Sequence, residues 1–170
     1  DFVPKKKAIF TTRSDRNLNF LLECWNEIKK KAPDAELHIN PPYDLSDDDK
    51  KKGIILRSKG SKKDLINDLL SSRLMINPGH KGEVFCLAAE EARELCLPIV
   101  TMGHGSLYER VKHNETGYLA KNKDEFINYS IKLLNNDNIY LNLKKKLKLK
   151  RNSRSYTNVV IDLLKILHES

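Results

Sequence analysis

The chain has 170 residues, 39% hydrophobic and 32% charged, which is the balance of one globular domain with a charge-rich surface. It contains no run of 18 apolar residues, so no segment reads as a membrane-spanning helix. Lys and Arg number 31 against 23 Asp and Glu, a formal net charge of +8. That excess suits an anionic partner (nucleic acid, anionic lipid or a phosphate-bearing small molecule), and it equally suits a Lys-rich, Asn-rich surface with no partner at all.

Short β-branched runs alternate with helical patterns along the chain. Ala8–Thr12 reads as a strand, and Leu18, Leu21, Leu22, Trp25 and Ile28 then mark one face of a helix that Pro33 and Asp34 close. Glu36–Ile39 is a second strand. A polar loop carrying Pro41, Pro42 and Asp47–Asp49 leads to a third strand at Gly53–Leu56. Leu65, Ile66, Leu69 and Leu70 mark the next helix, and Leu74–Asn77 the fourth strand. Residues 86–96 read as a buried helix, Pro98–Met102 as a fifth strand and Gly117–Ala120 as a sixth, with helices predicted at 124–135, 138–150 and 156–168. Strands alternating with helices mean βαβ units and a parallel sheet covered on both faces. The predicted fold is therefore α/β: a doubly wound, Rossmann-like sheet of about six strands, forming a single domain over residues 1–170. Its ligand crevice belongs beyond the carboxyl ends of the strands.

That rule selects four loops. After the first strand, Arg13 and Arg16 stand at the mouth of a helix, where guanidinium groups and free N–H groups both attract phosphate. The plainer reading is a solvated loop in which Asp15 or Asn17 caps the helix. After the fourth strand, Gly79 and Gly82 allow close backbone approach to a ligand. Glu83 and Glu91 then place two carboxylates toward one crevice, and a carboxylate can accept from two vicinal sugar hydroxyls. Favourable charge in the first turns of a helix is the competing account of Glu90 and Glu91. After the third strand, Arg57, Ser58 and Lys59 offer a place for a base or ribose. After the fifth, Gly103-His104-Gly105-Ser106 feeds a short helix from about Leu107.

Other features exclude more than they suggest. Asp47-Asp48-Asp49 beside three lysines reads as a solvated turn, and the five histidines lack metal-ligand spacing. His80 and His104 lie on loops facing the crevice. There is no G-x-x-x-x-G-K-[ST] and no G-x-S-x-G, which removes a P-loop and the usual α/β-hydrolase nucleophile. No RNP-like aromatic pattern or helix-turn-helix signature supports a nucleic-acid partner. Cys24, Cys86 and Cys96 have no CxxC spacing, which argues against a disulfide framework or a zinc site and fits a reducing, cytoplasmic compartment. The first residue is Asp1 and no leader pattern follows, so the chain reads as a fragment or a processed product.

At the loops the pattern becomes specific. The stretch from Glu83 to Glu91 resembles the E-x7-E motif of retaining glycosyltransferases of GT-B architecture, usually written EGFGLxxxEA, with Phe85, Leu87, Glu91 and Ala92 in register. Leu97–Thr101 resembles the following GLPVVAT strand, Glu109-Arg110-Val111 the E-x-V element and Asn114–Leu119 the GETGLLV element. Upstream, Ser14–Leu18, Leu21, Leu22 and Trp25 resemble SPDRGLxxLLxxW, and Pro33–Ile39 reads PDAELHI. The similarity runs from about residue 7 to 167 and is that of the carboxyl-terminal, donor-binding half of a family 4-like glycosyltransferase.

The resemblance implies a nucleoside-diphosphate-sugar donor, transfer with retention, and no metal or other cofactor. It implies Glu83 near the donor sugar as the catalytic residue. Backbone N–H groups from Phe85 through Cys86 to Leu87 would hold sugar hydroxyls and the distal phosphate, with Gly82 and Val84 beside them in the donor site, Glu91 the ribose, and Arg16 and, less directly, Arg13 the diphosphate. The departures are Val84 and Cys86 at motif glycines, Asn17 at a glycine, and Thr11-Thr12-Arg13 in place of a Gly-Arg pair. The acceptor domain of this architecture is amino-terminal and is absent from this chain. With it missing, the expectation is a chain that binds donor but hardly transfers sugar; the other expectation is a non-catalytic nucleotide-sugar-binding or regulatory module. From Lys144 to Arg154 there are seven basic residues and no acidic one, with Leu147 and Leu149 between them. This segment reads either as a seat on an anionic membrane surface or as a solvated helix with its leucines turned inward.

Overall fold

The computed structural model describes residues 2–58 and 60–151, together with residues 160, 161, 164, 165 and 168. The strands are β1 (Lys7–Phe10), β2 (Glu36–Ile39), β3 (Ile54–Leu56), β4 (Leu74–Ile76), β5 (Ile99–Thr101) and β6 (Gly117–Leu119). The helices are α1 (Leu18–Lys31), α2 (Asp47–Lys51), α3 (Lys62–Leu70), α4 (Leu87–Glu94), α5 (Leu107–Arg110), α6 (Lys123–Asn135) and α7 (Asp137–Lys150). All five strand pairings are parallel, in the order β3-β2-β1-β4-β5-β6. This is the doubly wound order: β1 continues outward to β2 and β3, whereas β4 begins the opposite wing. The chain therefore diverges on either side of the β1–β4 seam, and a crevice opens above it.

Two apolar layers cover the sheet, because successive strand residues point to opposite faces. Ala8, Phe10, Leu74 and Ile76 pack with Leu21, Trp25 and Ile28 of α1 and with Phe126, Leu133 and Leu134 of α6. Ile9, Met75 and Ile99 face the other way, onto Leu69 of α3, Ala89 and Ala92 of α4 and Leu107 of α5. Trp25 is fully buried, and its indole N–H still donates to the Lys52 carbonyl at 3.0 Å, so no polar atom is sacrificed.

Two local expectations are corrected and one helix gains a defined start. The Asp47–Asp49 stretch is solvated as expected, but it is the first turn of α2 and not a loop turn. Ser46 caps it through a reciprocal pair with Asp49, and the order of three acids then three lysines suits the helix dipole. Helix α3 starts at Lys62, ahead of its apolar stripe, because Ser61 and Asp64 form a second such capping box. Neither Asp15 nor Asn17 caps α1 with its side chain. Asn17 holds the N-cap in the left-handed region (φ 63) and donates its amide to the Gly79 carbonyl, while Asp15 pairs with Arg13. Of the helix predicted at 156–168, residues 160, 161, 164, 165 and 168 are helical and the others lie outside the described residues, as do Lys59 and residues 152–154 of the basic segment.

Candidate functional site

The crevice is an open groove of about 510 Å³, lined by the loop after β1 and the loop running from β4 into α4. Thr11, Thr12, Arg13 and Arg16 form one wall; Gly82 to Ala88 and Glu91 form the other. Of the residues singled out from sequence, the structure brings together Arg13, Arg16, Gly82, Glu83, Val84, Phe85, Cys86, Leu87 and Glu91. It does not bring in Arg57 and Ser58. They line a separate hollow with Asn40, Pro41 and Ser61, and the Arg57 guanidinium is committed to Asp68 and Asn40.

The β4–α4 loop is fixed by hydrogen bonds at nearly every residue. Asn77 is buried and accepts from the Gly79 N–H at 3.1 Å. The Glu83 N–H donates to the His80 carbonyl at 3.0 Å, and the Glu83 carbonyl accepts from the Ser106 N–H at 2.9 Å. Gly105 makes that last contact possible: at φ 60, a Cβ there would lie 2.5 Å from the Glu83 carbonyl oxygen. The Glu83 carboxylate is only 16% exposed, accepts from the Cys86 N–H at 3.2 Å, and stands 3.8 Å from the Arg16 guanidinium.

Arg16 is held from its other side by His80. Its Nη1 lies 3.1 Å from His80 Nδ1, which also accepts from the Gly82 N–H at 3.0 Å. With two donors on Nδ1, the ring proton belongs on Nε2. His80, a crevice-facing histidine by sequence, thus acts on the guanidinium. Arg13 differs from Arg16: it is exposed and paired with Asp15, whose carboxyl the Arg13 hydrogen bond holds below its ordinary value.

The groove also offers open hydrogen-bonding groups. Among the described residues, no carbonyl or side chain accepts from the N–H groups of Val84, Phe85, Leu87 or Ala88. Leu87 and Ala88 open α4, where a helix presents free donors and partial positive charge, and Val84 and Phe85 precede its N-cap, Cys86. On the facing wall the Thr11 and Thr12 hydroxyl oxygens are buried without a partner among the described residues. Sequence reading missed these two as groove-lining groups, because nothing in a Thr-Thr pair at a strand end separates a buried hydroxyl from a solvated one. Burial pushes the Cys86 thiol up, so Cys86 is a protonated side chain at neutral pH and no thiolate nucleophile. Glu90, in contrast to Glu91, turns away from the groove to pair with Arg93 and Arg110. Taken together, the groove carries cations on one side, amide donors at the end, and carboxylate and hydroxyl acceptors.

On α7, Leu147 is buried and Leu149 is 79% exposed, so only the first of the two leucines turns inward. Lys150 pairs with Glu115, Arg151 lies near Glu94, and Lys146 donates to the Asn114 carbonyl. No helix among the described residues is long and apolar enough to cross a membrane.

Solved structures with the same fold include S. aureus TarM, a mutant of which was solved with fondaparinux, α-GlcNAc-glycerol and UDP (TM-score 0.77, 19% identity). The pneumococcal O-GlcNAc transferase GtfA, in complex with UDP and GlcNAc, superposes with a TM-score of 0.73 at 15% identity. This chain is covered to 100% and 98% in those two cases but spans only 36% of either protein's length. The C-terminal domain of the group 1 family glycosyl transferase LpcC from Francisella tularensis matches over 89% of both chains, with a TM-score of 0.66 and 19% identity. No curated protein matches the sequence. The model of the family described as glycosyl transferases group 1 matches residues 4–155, and the chain belongs to that family.

Proposed function

We propose that the groove binds a nucleoside-diphosphate sugar and that this chain is the donor-binding half of a retaining glycosyltransferase. The observation that carries the reading is the convergence of Arg16, Glu83, Glu91 and the open N–H groups of Val84, Phe85, Leu87 and Ala88 on one groove. Glu91 accepts from the ribose hydroxyls. Glu83, nearly buried and already oriented by the Cys86 N–H, faces the donor sugar. The N–H groups of Phe85 and Leu87 take sugar hydroxyls and the distal phosphate, the Cys86 N–H being held by Glu83, and the exposed Arg13 gives a second, weaker contact to the diphosphate. Arg57 and Ser58 line the separate hollow of about 460 Å³, and we assign the base to it.

In this reading Arg16 carries the rate effect. As the glycosidic bond to the donor breaks, the departing diphosphate gains negative charge. A guanidinium fixed by His80 and Glu83 stabilises that charge more than it stabilises the ground state. Transfer uses no metal or other cofactor. The acceptor is taken in the cleft against an amino-terminal domain, as the 36% share of TarM's length suggests. The site of action is cytoplasmic, with residues 144–154 resting on an anionic membrane surface. UDP in the TarM complex and UDP with GlcNAc in the GtfA complex support the ligand class.

A panel of UDP-, GDP- and ADP-sugars in a thermal-shift assay tests this. At 100-fold excess over Kd the matching donor stabilises the chain by about 2.7 kcal/mol. Glu91→Gln and Arg16→Ala each lower donor affinity about tenfold or more, the cost of losing a charged hydrogen bond. The isolated chain binds donor yet transfers almost nothing from a radiolabelled one. No stabilisation by any member of the panel would overturn the assignment. The alternative, a non-catalytic donor-binding module, draws on Val84 and Cys86 at the motif glycines, since Val84 projects into the groove mouth at 89% exposure. Activity of the full-length protein separates the two.

A further inference from the structure

The loop that presents the Phe85 N–H has a brace of its own, built from a different part of the fold. Arg110, at the end of α5, lays its guanidinium over the Phe85 ring, 4.1 Å from the ring centre. Its Nε donates to the Phe85 carbonyl at 3.3 Å. Its Nη1 lies 2.9 Å from Glu90 on α4, and Glu90 is paired with Arg93 as well. One side chain thus grips both the ring and the carbonyl of the residue whose N–H opens on the groove. It is anchored to the helix that follows. Gripping the Phe85 carbonyl orients the planar Phe85–Cys86 peptide unit, whose N–H donates to the Glu83 carboxylate, and the ring contact holds the Phe85 side chain beside it. Phe85 is 49% exposed, so little apolar packing would hold it without Arg110.

We infer that Arg110, held by Glu90, is a positioning residue that sets the Phe85 segment to receive the phosphate and sugar end of the donor. The inference rests on the donor-binding reading above for its functional half, while the brace itself can be observed without ligand. Arg110 touches neither the groove cations nor Glu91, so its removal acts on one end of the donor only. The nucleoside end stays as it was.

Two measurements on the intact chain test it. In the ligand-free protein, the Arg110 Nε–H resonance is displaced by the Phe85 ring current, and Phe85→Leu returns it to the ordinary arginine position. An Nε–H signal that Phe85→Leu does not move overturns the brace. In calorimetry with the nucleoside diphosphate and nucleoside-diphosphate sugar that stabilise the wild type, Arg110→Ala lowers affinity about tenfold, the scale of a half-exposed cation–π contact plus a charged hydrogen bond. Affinity for the nucleoside alone is unchanged. Arg110→Lys restores part of the loss, and Glu90→Gln reproduces part of it without adding fully to Arg110→Ala, as two members of one unit behave. Equal losses for nucleoside and diphosphate, or no loss for either, overturn the positioning role. If the ring-current signature is present and the wild type binds no nucleotide, the brace stands and the donor assignment fails.

Discussion

Two residues show how the loop tolerates what the family pattern lacks. Cys86 occupies a motif glycine position at φ 57, a conformation that costs an ordinary side chain about 1–2 kcal/mol. Its sulfur is buried and accepts from Asn77, so packing holds a glycine-like backbone without a glycine. Gly105 is the opposite case, since no side chain fits there. Gly105→Ala would combine a positive φ with a Cβ 2.5 Å from the Glu83 carbonyl and 2.7 Å from that of His80. The expected loss is about 2 kcal/mol or more, read as a fall in Tm of roughly 4–8 °C, with weaker donor binding because the Glu83 loop must shift. An unchanged melting curve would show that the two loops are not in this contact. Glu83, Glu91 and Arg16 were legible as groove-lining residues from loop position and from the motif they resemble. His80 and Arg110 were not legible in their observed roles. Their contacts join positions 64 and 25 residues apart, and no local pattern marks such a pair.

At the scale of elements, the same contrast explains which helices and strands could be read. Helices α1, α6 and α7 carry buried residues at helical spacing. Helix α2 has no buried residue, so no stripe exists to see; only the Ser46–Asp49 capping box marks it. Strand cores were recovered, but ends ran long. Thr11 and Thr12 extend the β-branched run beyond Phe10, yet the parallel register with β2 stops at Phe10–Ile39. Helix α3 is tied to the sheet by charge rather than by a long stripe. Asp68 accepts from Lys7 of β1 at 2.9 Å and from Arg57 beyond β3 at 2.8 Å. Burial pushes the Asp68 carboxyl up, but these hydrogen bonds and charges together outweigh it and hold it below its ordinary value. A carboxylate depressed in the folded state adds stability above its unfolded pKa and loses it as pH falls through the folded one. Asp68→Asn should therefore cost about 2 kcal/mol at neutral pH, the scale of a charged hydrogen bond. The difference from wild type should shrink below about pH 4, where the unfolded carboxyl takes up its proton. Urea titrations at the two pH values check this, and a difference that stays constant would remove the ion pairs as its source.

For the whole molecule, the +8 charge has two outlets at opposite kinds of surface. One is the groove, where Arg13 and Arg16 line one wall. The other is α7, where six of the last eight residues from Lys144 to Arg151 are basic. Several of these are already partnered: Lys150 with Glu115, Arg151 with Glu94 and Lys146 with a carbonyl. Such pairs are exposed and contribute little to stability, so they can be exchanged for lipid phosphates at small cost. Leu149 stands outward among the lysines, as an interfacial helix requires, although the buried Leu147 ties the other face to the domain. If the segment seats on a membrane, the chain should sediment with vesicles containing anionic lipid and not with neutral ones. Binding should fall steeply with added salt, because each lysine near such a surface contributes about 1 kcal/mol of screened attraction. Lys145→Glu combined with Leu149→Glu should abolish sedimentation while leaving donor binding intact, since neither side chain lines the groove. Equal sedimentation with both kinds of vesicle would leave α7 as a solvated surface helix, and the positive charge would then serve the groove alone.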